Sequence, residues 1–171
     1  MNHDRGTFSR LSSSLTTCLV ICTLAMQSAA AASGSPANSK WIERGRYLAK
    51  IAGCNDCHTP GYMVANGKVP EAQWLTGDSF GWRGPWGTTY AINVRLYMQT
   101  LTEEEWLKKA ITVETRPPMP WYVFREMTKD DLRALYRFIR HLGPAGTAAP
   151  AYVPPDQEPK PPYATFPAPP K

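Results

Sequence analysis

The chain has 171 residues, a length typical of one domain. Its 19 Lys and Arg residues outnumber its 14 Asp and Glu residues, which gives a formal net charge of +5, but the basic residues are scattered and form no long run. A mildly basic surface suits an acidic protein partner, whereas the clustered basic patch of a nucleic-acid-binding protein is missing from the sequence, so we expect no nucleic-acid partner.

The N-terminal segment has the three parts of a secretory signal peptide. Arg5 and Arg10 make a weakly basic start, the apolar run LTTCLVICTLAM follows, and the small residues QSAAAAS come next. The apolar run is too short for a permanent membrane-spanning helix, which needs about 20 residues. We therefore expect residues 1–32 to be cleaved off between Ala29 and Ala32 and the rest to reach the periplasm as a protein not integral to the membrane. An uncleaved anchor is the alternative.

The first helix is predicted to begin near Ser39, a residue type that often caps a helix start. Small and apolar residues recur there at the spacing of one helix face: Ile42, Gly45, Leu48, Ala49 and Ala52. Gly45 costs about 1 kcal/mol relative to Ala in a helix interior. A glycine at that place predicts that another element approaches the helix closely.

Residues 53–100 carry no convincing signal for a regular element. Gly, Pro and Trp dominate, and the segment includes Trp74, Trp82 and Trp86. A structureless loop of this length is unusual in a compact domain. We therefore expect it to wrap around a large apolar group.

Two further helices carry start and stop signals. Thr102 and Glu105 have the spacing of a capping box, and the helix they start should end near Val113, before the prolines of RPPMPW. The clearest helix follows Thr128 as N-cap and ends at Gly143. Its apolar residues form one stripe at helical spacing: Leu132, Leu135, Tyr136, Ile139 and Leu142.

Residues 144–171 are dominated by proline and alanine and are predicted to be an extended, polyproline-like tail. Three interpretations stay open for it. The tail is a flexible terminus without a role, a strap lying over the domain, or a docking segment for a partner. Tyr152, Tyr163 and Phe166 along it favour contact with some surface.

The segment AGCNDCHTPG contains the pattern C-x-x-C-H, formed by Cys54, Cys57 and His58. This pattern is the attachment signature of c-type haem. Two thiols at this spacing add to the two vinyl groups of the porphyrin, and the next residue then lies where an imidazole can bind the iron. The pattern occurs once, so we expect one covalently bound haem c.

Other uses of the same residues are weaker interpretations. A structural zinc site needs four ligands, and besides these three the segment after residue 32 offers His141 and carboxylates. A thioredoxin-like dithiol would lie in a βαβ context, which the sequence does not show. A disulfide across so short a loop would stabilise the fold little.

A sixth iron ligand is sought among the methionines. Met63 is too close in sequence to His58 to reach the other face of the ring, Met98 lies in an apolar stretch, and Met127 is placed to pack at the start of the last helix. Met119 lies between prolines that stiffen its loop, which reduces the entropy lost on fixing its thioether. Met119 is therefore the predicted ligand; a core methionine beside an open or His-bound haem is the alternative.

The chain resembles the class I c-type cytochromes. The resemblance rests on GRYLAKIAGCNDCHTPG, on MPW after the haem motif, and on MTKDDLRALYRFIRHLG, and it covers residues 39–143. GPWGTTYAINVRL and MPWYVFREMTKDDLRALYRFI are similar to haem domains in cytochrome subunits of periplasmic dehydrogenases.

The resemblance implies an all-α fold over residues 33–143. Three main helices and long wrapping loops would surround one covalent haem, with residues 144–171 as the extended tail. It implies that the first and last helices cross at Gly45, against Tyr136 or Phe138. It also implies that the tryptophan-rich loop wraps the ring, so that four side chains become candidates for hydrogen bonds to the haem propionates: Arg83, Trp86, Tyr90 and Asn93.

The expected function is periplasmic electron transfer by a His/Met-ligated haem, because a haem with both axial positions filled offers no place for a substrate. The protein would be a soluble carrier or a subunit of a dehydrogenase or oxidase system, and its partners would be a dehydrogenase, an oxidase or another cytochrome. Two alternatives remain: a haem enzyme or small-gas binder with a labile sixth ligand, and a docking subunit with a structural haem.

Overall fold

The computed structural model describes residues 36–167, which belong to one compact unit. The predicted signal peptide lies outside these residues. The helices are α1 (Pro36–Ile51), α2 (Cys54–His58), α3 (Val94–Gln99), α4 (Glu103–Thr112), α5 (Val123–Glu126) and α6 (Lys129–Leu142), with a 3-10 turn at Glu71–Gln73. The strands are β1 (Gly81–Gly84), β2 (Gly87–Tyr90) and β3 (Tyr163–Thr165).

Helices α1 and α6 cross at Gly45, as predicted. A Cβ atom at this position would lie 2.5 Å from the Cβ of Phe138 and would overlap the carbonyl oxygen of Ala134. The glycine thus lets the two backbones approach more closely than any other residue would. The cost of a helical glycine is offset by this packing.

The predicted starts of α4 and α6 are confirmed. The Thr102 hydroxyl accepts a hydrogen bond from Glu105 N at 3.2 Å, and the Glu105 carboxylate accepts one from Thr102 N at 2.7 Å. The Thr128 hydroxyl caps α6 by accepting a hydrogen bond from Asp131 N at 3.1 Å, and Gly143 ends the helix with a left-handed φ of 67°. Helix α1 begins at Pro36 rather than at Ser39, because proline is well suited to the first helical turn.

The prediction that residues 53–100 lack regular structure was wrong. They contain α2, α3 and the antiparallel hairpin of β1 and β2, in which Trp82 pairs with Thr89 and Gly84 with Gly87. The strands are four residues long and rich in glycine, which weakens the alternating pattern by which a strand is recognised.

The C-terminal segment, which is described over residues 144–167, packs on this hairpin. Strand β3 pairs in parallel with β1, which gives the sheet order β2-β1-β3, and Val153 exchanges two backbone hydrogen bonds with Thr88 at 2.7 and 3.0 Å. The Phe166 ring lies 5.6 Å from that of Trp86 and 5.9 Å from that of Trp82. The described chain is mostly helical, as expected, but the all-α class omitted this three-stranded sheet.

The core lies between α1, α3, α4 and α6. Its most buried large side chains include Leu75, Met98, Leu132, Leu135 and Phe138. Within residues 36–167, no helix has both the length and the apolar character needed to cross a bilayer.

Candidate functional site

Helix α2 presents the C-x-x-C-H residues to a cavity. Gly53, with a left-handed φ of 70°, ends α1 and starts the short helix directly after it. On the buried face of α2, the Thr59 hydroxyl donates to the Asn55 side chain at 2.8 Å and accepts from Leu75 N at 2.8 Å. These bonds fix one face of α2 in the protein, while Cys54, Cys57 and His58 line the cavity on another face.

The imidazole of His58 is held in one orientation. Its Nδ1 lies 2.8 Å from the carbonyl oxygen of Ile92, in the loop between β2 and α3. Burial lowers the pKa of His58 and outweighs the opposite effect of this hydrogen bond, so the ring is neutral at neutral pH. A neutral ring that donates through Nδ1 keeps the lone pair of Nε2 for a metal ion.

Cys54 and Cys57 form no disulfide with each other, and burial weakens the acidity of both side chains. Burial raises the pKa of Cys54 to about 11, and burial together with the charge of Asp56 raises the pKa of Cys57. Reactive redox cysteines have a lowered pKa and react as thiolates. These thiols therefore do not fit a thioredoxin-like dithiol.

The cavity has a volume of about 920 Å³ and mostly apolar walls. This volume falls within the range of about 300–1,000 Å³ found for sites of small molecules and cofactors. All six helices of residues 36–167, strands β1 and β2, the loop between α4 and α5 and the C-terminal segment contribute to it. Among its apolar lining residues are Ala49, Leu75, Trp82, Val94, Trp106, Phe124, Leu135, Ile139 and Pro150.

Met119 lies in the wall of the same cavity, half-buried in the loop between α4 and α5. The Thr89 hydroxyl donates to the carbonyl oxygen of Pro117 at 2.7 Å, which ties this loop to β2. Met98 and Met127 also line the cavity, Met98 as part of the core. Met63 is 54% exposed and is not part of the lining. The structure thus brings Cys54, Cys57, His58 and Met119 to one cavity.

Of the four propionate candidates, the structure brings Tyr90 to the cavity. Arg83 forms an ion pair with Glu158, and Trp86 packs against Phe166. Asn93 caps α3 and donates to the carbonyl oxygens of Ala145 and Thr147 at 2.8 and 3.0 Å. These three residues do not line the cavity. Their side chains contact the C-terminal segment instead.

The sequence did not reveal three polar lining residues: Lys109, Arg116 and Tyr152. Lys109 follows Trp106 by three positions on α4, and this helical spacing was a usable signal for a shared face. Arg116 and Tyr152 are far apart in sequence, yet the guanidinium carbon of Arg116 lies 3.8 Å from the centre of the Tyr152 ring. No local pattern predicts such a pair.

Within residues 36–167, no cluster of three or more His, Cys, Asp or Glu side chains is arranged to hold a metal ion. No protein-family model matches the chain, and no solved structure matches it.

Curated relatives are more informative. The cytochrome c subunit of the alcohol dehydrogenase (quinone) of Gluconobacter oxydans (strain 621H) is 30% identical over 123 residues, which cover 65% of this chain and 23% of the relative. The corresponding cytochrome c subunit of Komagataeibacter europaeus is 28% identical over 119 residues, covering 61% of this chain and 22% of the relative. The fructose dehydrogenase cytochrome subunit of Gluconobacter japonicus is 30% identical over 108 residues, covering 57% of this chain and 20% of the relative.

The chain spans less than a quarter of the length of these relatives. The similarities support a relationship between this chain and the cytochrome c subunits of dehydrogenases.

Proposed function

We propose that the protein carries one covalently attached haem c in the 920 Å³ cavity and transfers single electrons between periplasmic redox proteins. One observation carries the proposal. Two thiols at the C-x-x-C spacing, an imidazole with its Nδ1 bonded to a carbonyl oxygen, and a methionine thioether all line one apolar cavity.

The residues present fit this cofactor. Cys54 and Cys57 would form the two thioether bonds, and His58 would bind the iron through Nε2, since its Nδ1 is engaged with Ile92. Met119 would supply a second protein ligand to the iron through its thioether sulfur. Tyr90 stays a candidate for a propionate contact, and Lys109 and Arg116 add two cationic lining residues.

A haem bound here would supply a one-electron couple between ferrous and ferric iron. The chain's own residues set the conditions for that couple. The apolar walls exclude water, and the soft sulfur of Met119 favours the ferrous state, so both raise the reduction potential. The bond between His58 and Ile92 fixes the imidazole, which limits rearrangement when the charge changes.

The relatives named above are cytochrome subunits of dehydrogenases, which supports a redox protein as the partner. We propose that the electron donor or acceptor is a periplasmic dehydrogenase, an oxidase or another cytochrome. A small and transient contact suits such an exchange. Export would depend on the proposed signal peptide, residues 1–32.

Three measurements on the protein secreted by cells that express the full-length sequence test the proposal. Mass spectrometry of the chain should show the added mass of one haem. Magnetic spectroscopy of the oxidised protein should show sulfur bound to iron, and the reduced protein should bind carbon monoxide slowly. Met119→Ala should abolish the sulfur signal and speed carbon monoxide binding, whereas Met63→Ala, at an exposed methionine, should change neither.

Two results would count against the proposal. A mass equal to that of the unmodified peptide would show that no haem is covalently attached. Rapid carbon monoxide binding by the unaltered reduced protein would instead favour a haem enzyme or gas binder with a labile sixth ligand.

A further inference from the structure

The loop that carries Met119 contacts β2, α5 and the C-terminal segment. The Thr89 hydroxyl of β2 donates to the carbonyl oxygen of Pro117, while on the α5 side Arg125 pairs with Glu114 at 3.2 Å and lies over the Trp121 ring at 4.4 Å, and Val123 N donates to the carbonyl oxygen of Pro120 at 3.0 Å. A further contact joins the loop to the C-terminal segment, where the Arg116 guanidinium carbon lies 3.8 Å from the centre of the Tyr152 ring. Arg116 is three residues from Met119, so this contact restrains the part of the loop that lines the cavity.

Tyr152 is itself fixed in place. Its hydroxyl donates to the carbonyl oxygen of Trp86 at 2.7 Å, and the next residue, Val153, forms two backbone hydrogen bonds with Thr88. Gly87 leaves the space for this arrangement. A Cβ atom there would lie 2.5 Å from the Val153 oxygen and 2.7 Å from the Tyr152 hydroxyl. The hairpin of β1 and β2 is thus shaped to receive the C-terminal segment at this position.

Stacking suits this pair of side chains. A guanidinium group attracts the face of an aromatic ring, and its planar shape makes the contact specific to arginine. Among the described residues, no carboxylate lies within ion-pair distance of Arg116, so a salt bridge does not determine its position. Tyr152 also lines the cavity next to Pro150 and Ala151, which places this part of the segment in the wall.

We propose that Tyr152 is a positioning residue that holds the Met119 loop against the cavity through Arg116, and so keeps the Met119 sulfur on the iron. The C-terminal segment is then part of the cofactor site and is not merely a terminal extension. This inference rests on the proposed function, since it concerns the sixth ligand of the same haem.

The test compares five variants of the full-length protein: Tyr152→Ala, Tyr152→Phe, Arg116→Ala, the double variant Tyr152→Ala with Arg116→Ala, and Tyr163→Ala. Tyr163 is the matched control, because it is also a tyrosine of the C-terminal segment with an arginine, Arg83, over its ring at 5.7 Å, but it does not line the cavity. The measurements are the sulfur-to-iron signal of the oxidised protein, the rate of carbon monoxide binding by the reduced protein, and hydrogen exchange of residues 113–121.

We expect Tyr152→Ala to speed carbon monoxide binding about 10-fold, which is equivalent to about 1.4 kcal/mol in loop closure. It should also weaken the sulfur signal and increase hydrogen exchange of the loop. Tyr152→Phe keeps the ring that stacks on Arg116, so its carbon monoxide rate, sulfur signal and hydrogen exchange should stay close to those of the unaltered protein. Arg116→Ala should match Tyr152→Ala, and the double variant should add little, because both remove the same contact.

Equal carbon monoxide rates in Tyr152→Ala and unaltered protein, with the sulfur signal intact, would overturn the inference while leaving the proposed function in place. So would an equally large effect of Tyr163→Ala, because anchoring of the whole segment would then explain the result. If the unaltered protein lacks covalent haem or iron-bound sulfur, the proposed function fails first and the inference fails with it.

Discussion

The α1–α6 crossing and one wall of the cavity are stabilised in different ways. This wall consists of residues 81–90 and 150–166, which form the sheet and most of the C-terminal segment, and Trp82, Tyr90 and Tyr152 are among its lining residues. At the crossing, two long helices with local start and stop signals contact each other through Gly45, Ala134 and Phe138. In the wall, strands of three or four residues are joined by contacts between distant parts of the chain, such as Thr88 with Val153.

This difference predicts unequal dependence on the cofactor. A two-stranded hairpin is marginally stable alone, and the third strand, β3, must bring with it a proline-rich segment that has few apolar side chains to bury. The helices bury a continuous apolar core against each other. We therefore expect the helix crossing to persist without the haem and the wall to loosen.

The largest expected effect comes from removing the two attachment sites. Cys54→Ser with Cys57→Ser should abolish covalent haem completely, as measured by the mass of the secreted chain. Hydrogen exchange should then rise more in residues 81–90 and 150–166 than in residues 42–50 and 132–139, because the wall loses the group it packs against.

Asp56→Asn is the control, since Asp56 lies between the two cysteines with its side chain exposed. It should retain the haem. An equal rise in hydrogen exchange in both regions of the double variant would show that the crossing and the wall depend on the cofactor equally. It would contradict the expected difference between them.

The second effect concerns the crossing itself. Gly45→Ala adds a Cβ atom 2.5 Å from that of Phe138, so the helices must separate. Overpacking costs up to about 3 kcal/mol and the better helix propensity of alanine returns about 1, so we expect a net loss of up to about 2 kcal/mol in the free energy of unfolding.

Urea unfolding measures the loss at Gly45, and Glu43→Ala at an exposed position of α1 should stay within about 0.5 kcal/mol of the unaltered protein. A stability of Gly45→Ala equal to that of Glu43→Ala would mean that the contact is not close in solution.

The two regions also differ in how far the sequence predicts them. The capping box at Thr102, the N-cap at Thr128 and the crossing glycine are local signals, and each is found where it was expected. The pairing of β3 with β1 depends on residues that are distant in sequence, and neither strand has an alternating pattern. Sequence alone therefore predicts the helices better than the wall.

Arg95 illustrates the same limit at a single residue. It lies in an apolar stretch and is 5% exposed, and its guanidinium donates to the carbonyl oxygens of Ala72, Leu142 and Gly143. Two of these carbonyls are at the C-terminal end of α6, where a cation is favoured by the helix dipole. Burial lowers the pKa of Arg95. Its role depends on the packing of α3 beside α6, which no neighbouring residue indicates.

In the candidate site too, residues that are neighbours in sequence were predicted better than residues whose contacts depend on distant parts of the chain. Cys54, Cys57 and His58 are neighbours in sequence, so one pattern predicted them together. Met119 followed from the stiffness of its loop, and it lines the same cavity. Arg83 and Asn93 were expected near the ring because the resemblance implies that their loop wraps it, but their side chains bond to the C-terminal segment instead.

The third effect concerns the ligand that Met119 offers on the cavity side. Met119→His replaces the soft sulfur by an imidazole, which favours ferric iron and should lower the reduction potential. Axial ligands tune haem potentials over about 0.8 V, and we expect a shift on the order of 0.1 V. A redox titration measures it. Met63→His places the same imidazole at an exposed position and should leave the potential unchanged. Equal reduction potentials for the unaltered protein, Met119→His and Met63→His would show that Met119 is not an iron ligand.

The smallest effect is on the helical side, at Glu103, which joins α4 to α6. Its carboxylate lies 2.6 Å from Arg133 Nε and 2.9 Å from Arg137 Nε. Burial by itself would raise the pKa of Glu103, but the hydrogen bonds from Arg137 and Arg133 outweigh it and hold the pKa below its ordinary value. Glu103→Gln should therefore lower the free energy of unfolding by about 1 kcal/mol at neutral pH.

The pH dependence identifies the charge as the cause. Because the folded pKa of Glu103 is lowered, its contribution is complete above about pH 4.3, the ordinary value for glutamate, and is lost as the pH falls through the folded pKa. The stability difference between the unaltered protein and Glu103→Gln should shrink over that acid range in urea unfolding. Glu104→Gln removes the same charge from the same helical turn, at an exposed position, and so separates the ion pairs from the helix dipole. If both variants lose the same stability, the dipole accounts for the effect and the ion pairs of Glu103 do not stabilise the contact between α4 and α6.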